Sequence, residues 1–210
     1  SPVELGELCD QVTIGFGTGE VAGEFVRERV CLGAGAPGAA PPPCVEAAHV
    51  VTAVEMSEQP FKSFAFDGIL GLGLEGLSLS PDFSFFGGLG ARAGAAQFAA
   101  FLTDGEGGEE SEMAFGGYDA ARALEPLTWA PVALPEQGHW AVQILAVRVD
   151  GVTLDLCRDG TCRGVVDTGT SHLGVPAPHD RDLEALLTRS AGGAADCRLV
   201  DAPLLELEVP

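Results

Sequence analysis

An all-β fold, mostly antiparallel strands with a few short helices, is the class this 210-residue sequence predicts, and three observations carry the prediction. Glycine (29) and proline (14) make up about a fifth of the chain without a collagen period, the composition of a protein rich in turns. A glycine-rich turn at residues 15–19 separates two runs of strand character, the second alternating from Val21 to Val30. Short apolar runs then recur at regular intervals between residues 113 and 166. Hydrophobic residues at 46% and a positive mean hydropathy count against disorder, and the length suits one large domain or two small ones.

Taken in order, residues 8–32 read as a long hairpin. Val12-Thr13-Ile14 leads in, Gly15-Phe16-Gly17-Thr18-Gly19 turns, and residues 21–30 lead out. Three glycines in five residues predict a mobile tip carrying one aromatic, Phe16. Residues 34–43 form a low-complexity loop. A strand of the buried type is predicted at residues 49–54, followed by Phe66-Asp67-Gly68-Ile69-Leu70-Gly71-Leu72-Gly73, an apolar run broken by glycines. Residues 83–102 mix aromatics and alanines at helical spacing and predict a helix, and residues 103–112 an acidic, solvated turn. Short strands are predicted at residues 113–115, 127–129, 140–149 and 152–156. Residues 164–170 end an apolar strand on a polar turn, the apolar side chains burying the strand ahead of Asp167. A last helix at residues 180–190 carries a stripe of Leu183, Leu186 and Leu187, with Asp180 as its N-cap.

Eleven basic against 31 acidic side chains give a net charge of −20, with a single lysine, Lys62. A field of that sign repels phosphate backbones and anionic membrane surfaces, so no nucleic-acid partner is expected. No apolar run approaches the roughly 20 residues of a membrane-spanning helix. Six cysteines fit metal binding poorly, because no C-x2-C occurs and His49, His139, His172 and His179 lie at no ligand spacing. Cys157-Arg158-Asp159-Gly160-Thr161-Cys162 reads instead as a tight hairpin with a disulfide across its base, Asp159-Gly160 supplying the turn. Cys31 and Cys44 bracket the proline-rich loop and are placed to staple it. Cys9 and Cys197 are left over, to pair with each other or with cysteines outside this sequence. Six reduced, buried thiols are the competing reading; the short-range pairs favour an oxidising compartment.

Five stretches, in this order, resemble the pepsin-like aspartic endopeptidases. Ile14-Gly15-Phe16-Gly17-Thr18-Gly19 is similar to the flap that closes over substrate. Phe66 to Gly73 is similar to the N-lobe segment whose apolar-apolar-glycine triplet, here Ile69-Leu70-Gly71, braces the catalytic loop. Phe115-Gly116-Gly117-Tyr118-Asp119 and Leu127-Thr128-Trp129-Ala130-Pro131-Val132 resemble the passage into the C-terminal lobe. Val165-Val166-Asp167-Thr168-Gly169-Thr170-Ser171 resembles the second catalytic loop.

The resemblance implies a bilobal acid-protease fold, incomplete at both ends. Residues 1–125 would be the remainder of the N-terminal lobe with its flap, and 126–210 the first part of the C-terminal lobe. It implies an aspartic-type endopeptidase that hydrolyses peptide bonds with a water activated between two aspartates. Asp167, in the loop with Thr168, Gly169 and Thr170, is the second aspartate, and the first lies outside this chain. Two such carboxylates share one proton because like charges that close cannot both ionise. Phe16, Gly17, Thr18 and Gly19 are implied to contact substrate. Phe16 stands where most of the family has tyrosine, keeping the ring and losing the hydroxyl's hydrogen bond. Trp129 and Trp140 are expected in core or inter-lobe packing.

No cofactor or metal is implied. The implied partner is a polypeptide substrate in an extended conformation, with further polypeptide covering the truncated edges. The implied location is the secretory pathway, outside the cell or in an acidic endolysosomal or vacuolar compartment. The alternative is a catalytically inactive protease-fold subunit, serving as a binding or scaffold component of an assembly.

Overall fold

The computed structural model describes residues 11–16, 19–33, 42–93, 97–105, 108–190, 192–193, 196, 198 and 200–210. Contacts within the chain divide it into two units, Ser1–Arg122 and Ala123–Pro210.

The first unit is built on a three-stranded antiparallel meander of β1 (Gln11–Phe16), β2 (Gly19–Cys31) and β3 (Cys44–Met56). The pairing starts at Phe16↔Gly19, so the strands run further towards the tip than a five-residue turn would allow. Between β2 and β3 the register slips twice, and at one slip Ala47 takes φ 54°. At the other, a Cβ on Gly23 would stand 2.4 Å from Val51 Cγ1, so only glycine fits. Cys31 faces Cys44 in the register and the two form a disulfide. The β3 strand thus begins five residues before the predicted 49–54 segment. Its far half is exposed rather than buried, with Val54 and Met56 open to solvent.

Helix α1 (Phe85–Ala93) packs on β3 through a core of Val45, Ala48, Phe85 and Leu89, with Val30, Leu72 and Phe115 against it. A Cβ on Gly88 would meet Val45 Cγ1 at 2.8 Å, which sets how closely the helix approaches the strand. The predicted helix over residues 83–102 is therefore only half present. Residues 98–101 instead form β4 (Phe98–Phe101), antiparallel to β5 (Glu112–Phe115). Pairing with β5 and the Phe98 contacts with Phe86 (5.2 Å between centroids) and Phe115 override the helical spacing.

The second unit holds a three-stranded sheet in the order β10 (Leu205–Glu208), β7 (Ala146–Val149), β8 (Val152–Thr153). Asp150 and Gly151, at φ 49° and 76°, make the two-residue turn joining β7 to β8. A two-stranded ladder joins β6 (Ala141–Gln143) to β9 (Arg163–Val165). Residues 127–129 form no strand, and Trp129 is 77% exposed, so it joins no core within its unit. Helix α2 (His179–Leu187) begins one residue before Asp180, which therefore lies in the first turn rather than capping it. Leu183 is its buried side chain, while Leu186 is largely open. No helix among the described residues is long and apolar enough to cross a membrane.

Candidate active site

The site is built from the β6–β9 ladder and the turn that leaves it. Ala141 pairs with Val165, Val142 with Gly164 and Gln143 with Arg163. One further hydrogen bond extends the same register at each end, Ile144 N to Cys162 O at 3.1 Å and Val166 N to Trp140 O at 2.9 Å. Gly164 packs under the Ile144 side chain in the middle, and a Cβ there would meet Ile144 Cδ1 at 2.9 Å, so that side chain would have to move aside.

Ahead of β9 the chain reverses through residues 157–162. Cys157 is bonded to Cys162, with Cα atoms 5.1 Å apart. Asp159 Oδ1 accepts from the Thr161 amide and hydroxyl, and Gly160 turns at φ 72°. The Gly160 carbonyl accepts from Gln143 Nε2 and Arg163 Nη1, tying the hairpin to both strands of the ladder.

Beyond Val166 the strand ends and Asp167 folds its carboxylate back over its own turn. The Gly169 amide donates to Oδ1 at 2.9 Å and the Thr170 hydroxyl to Oδ2 at 2.6 Å, while the Thr170 amide donates to the Asp167 carbonyl. A Cβ on Gly169 would lie 3.2 Å from Oδ1, so the glycine allows this approach. The Thr170 hydroxyl, then the Gly169 amide, hold the Asp167 carboxyl below its ordinary value. Partial desolvation opposes them, and the nearby charge of His139 adds to the lowering. The turn thus presents an ionised carboxylate with one donor on each oxygen. Lone pairs remain to accept a proton or hydrogen bond from a water.

Val165 and Val166 are exposed, so the strand leading to Asp167 is not buried as its apolar sequence suggests. Asp167 and Thr168 are exposed as well. Among the described residues of this unit the ladder has two strands.

The other expected site residues belong to the first unit. Phe16 ends β1 opposite Gly19, while its side chain, Gly17 and Thr18 lie outside the described residues, as do Cys9 and Cys197. Gly19 is pressed against the next segment: a Cβ there would meet Pro60 Cδ at 2.5 Å and Gln59 O at 2.8 Å. Ile69 and Leu70 are exposed and Gly71 borders open space; the neighbouring Leu72 is the residue that reaches the core. Among the described residues no three His, Cys, Asp or Glu side chains gather as metal ligands would. The sequence reading passed over His139 as a neighbour of Asp167, because only strand pairing brings together residues so far apart in the chain.

A family model described as eukaryotic aspartyl protease matches residues 6–195. The chain is 32% identical to cathepsin E of Rattus norvegicus over 197 residues, covering 91% of this chain and 46% of the relative. It is 33% identical to napsin-A of Mus musculus over 190 residues (81% of this chain, 38% of the relative). It is 35% identical to gastricsin of Cavia porcellus over 116 residues (54% and 29%). The chain spans about half the length, or less, of these curated relatives. With an Asp-Thr-Gly turn set at the end of a paired strand and a match running through nearly all its residues, the chain belongs to the eukaryotic aspartyl protease family.

Proposed function

We propose that this chain is part of an aspartic endopeptidase in which Asp167 is one of two catalytic aspartates. The observation that supports this reading is the Asp167 turn, whose two donors keep the carboxylate ionised and oriented. The 210 residues contain one Asp-Thr-Gly, so on this reading the first aspartate comes from sequence outside them. The ionised member takes a proton from water as the water oxygen attacks the peptide carbonyl carbon. The protonated member gives its proton towards the departing amine nitrogen, and the C–N bond breaks. Thr168, Gly169 and Thr170 shape the turn. Phe16, Gly17, Thr18 and Gly19 form the lid over an extended polypeptide substrate, and Ile69-Leu70-Gly71 braces the partner loop. Membership among cathepsin E, gastricsin and napsin relatives, with two disulfides, supports a secretory or endolysosomal location.

The test is Asp167→Asn in the whole protein, assayed on a mixed peptide library at acid pH. Cleavage is expected to fall by about 10²–10⁴-fold or more with the fold retained, because the proton acceptor is lost and little volume changes. Undiminished cleavage by the variant overturns the assignment of Asp167. A parent that binds peptides and cleaves none of them favours the other reading, an inactive subunit that binds or scaffolds.

A further inference from the structure

We infer that His139 is a positioning residue for Asp167, a titratable positive charge that the β6–β9 ladder holds opposite the carboxylate and that shapes the acid side of its activity. The kinetic part of this inference rests on the endopeptidase reading; the pairing itself does not.

The register places the two residues. Ala141 faces Val165 and the Val166 amide donates to the Trp140 carbonyl, so His139 and Asp167 are the residues next to this last hydrogen bond, where the two strands end.

The approach to His139 is also fixed. Residues Pro135–Gln137 make a 3-10 turn that closes on Gly138, which is buried at φ 80° with its amide on the Pro135 carbonyl. On the other side Ala141 is tied twice, to Val165 and through its carbonyl to the Ala133 amide at 2.7 Å. His139 is thus held between a glycine-capped turn and a paired strand, its ring exposed and able to take up a proton.

Among the described residues, His139 is the charged group whose field acts on Asp167, in the lowering direction. Glu136 stands on the 3-10 turn, His172 follows the Asp167 loop, and Arg163 on β9 is engaged by the Gly160 and Cys162 carbonyls. None of these three shifts the carboxyl. The strand β6 itself contributes no charged side chain.

Histidine as a residue type takes up a proton as the medium turns acid, the range in which a proton-sharing carboxylate pair works. A positive neighbour makes the last protonation of the pair harder. The enzyme therefore keeps its working, singly protonated form to lower pH than it would alone.

The experiment uses the whole protein with His139→Gln and His139→Lys. In His139→Gln the acid limb of the pH–rate profile should move up by roughly half a unit, about a threefold change in proton affinity, the order expected for two exposed, water-screened groups. His139→Lys, which restores a positive charge without the ring, should return the limb to the parent's position. A His139→Gln limb that overlays the parent's, or a lysine variant displaced as far as the glutamine one, overturns the inference. The second readout needs no activity: ¹³C NMR titration of the Asp167 carboxyl should move up by a similar amount in His139→Gln. An unmoved Asp167 titration rejects the pairing. A parent lacking peptidase activity while Asp167 still shifts rejects only the endopeptidase reading.

Discussion

Both oxygens of the Asp167 carboxylate find a donor within three residues, the Gly169 amide and the Thr170 hydroxyl. The first-ranking cause of its lowered proton affinity is the threonine hydroxyl, which Thr170→Val removes at nearly constant volume. The sign follows from linkage. A carboxyl that binds its proton less tightly when folded than when unfolded adds stability above its unfolded value, near 3.9. That stability fades as pH falls through the lower folded value. Thr170→Val should therefore be less stable than the parent at pH 7, by about 1 kcal/mol for an exposed, water-screened hydrogen bond. The two should converge near pH 2. Urea denaturation of the whole protein at both pH values measures this, and a gap that persists unchanged at pH 2 would contradict it. The motif that marks this residue was readable because its chemistry is local: aspartate, glycine and threonine in four consecutive positions make the whole hydrogen-bonded turn. His139 was not readable, because its relation to Asp167 depends on which strands pair.

The hairpin β1–β2 and its continuation into β3 contain two glycines with opposite demands. A side chain at Gly23 would drive into Val51 and the Thr52 carbonyl, whereas one at Gly15 would meet nothing within 4 Å. Gly23→Ala should cost about 1–3 kcal/mol of stability through overpacking, and Gly15→Ala well under that. Thermal or denaturant unfolding of the two variants of the whole protein separates them, and equal losses would mean the slip at Gly23 relaxes freely. Strand pairing also explains which elements the sequence showed. Alternation marked β2, and the cysteines bracketing the loop marked where it meets β3. The early turn of β3, Val45-Glu46-Ala47-Ala48, carries little strand propensity and is held by its register with β2 and by α1. At residues 98–101 the phenylalanines sit at a spacing of three, one face of a helix but opposite faces of a strand; pairing with β5 and the Phe98 contacts with Phe86 and Phe115 decide for strand.

On the scale of the chain, there is one Asp-Thr-Gly, in the second of two units, and apolar side chains such as Phe66, Ile69, Leu124 and Trp129 stand open to solvent. The 210 residues alone are expected to cleave nothing and to self-associate despite the −20 charge, since uncovered apolar surface and strand edges recruit other chains. Light scattering of the isolated chain and a peptide-library assay at acid pH check both points. Turnover that a statine-type mimic inhibits would overturn the first, and would mean that two chains lend two Asp167 residues to one site. The disulfide-closed hairpin at residues 157–162 bears on that site in another way. Its carbonyls are tied to Gln143, Ile144 and Arg163, so it serves as the fixed zero from which the ladder is counted. Asp167 comes five positions after Cys162. A strand cannot be displaced by a fraction of a residue: a slip moves it about 3.3 Å and turns every side chain to the opposite face. The placement of the acid is therefore quantised, either in register or inverted.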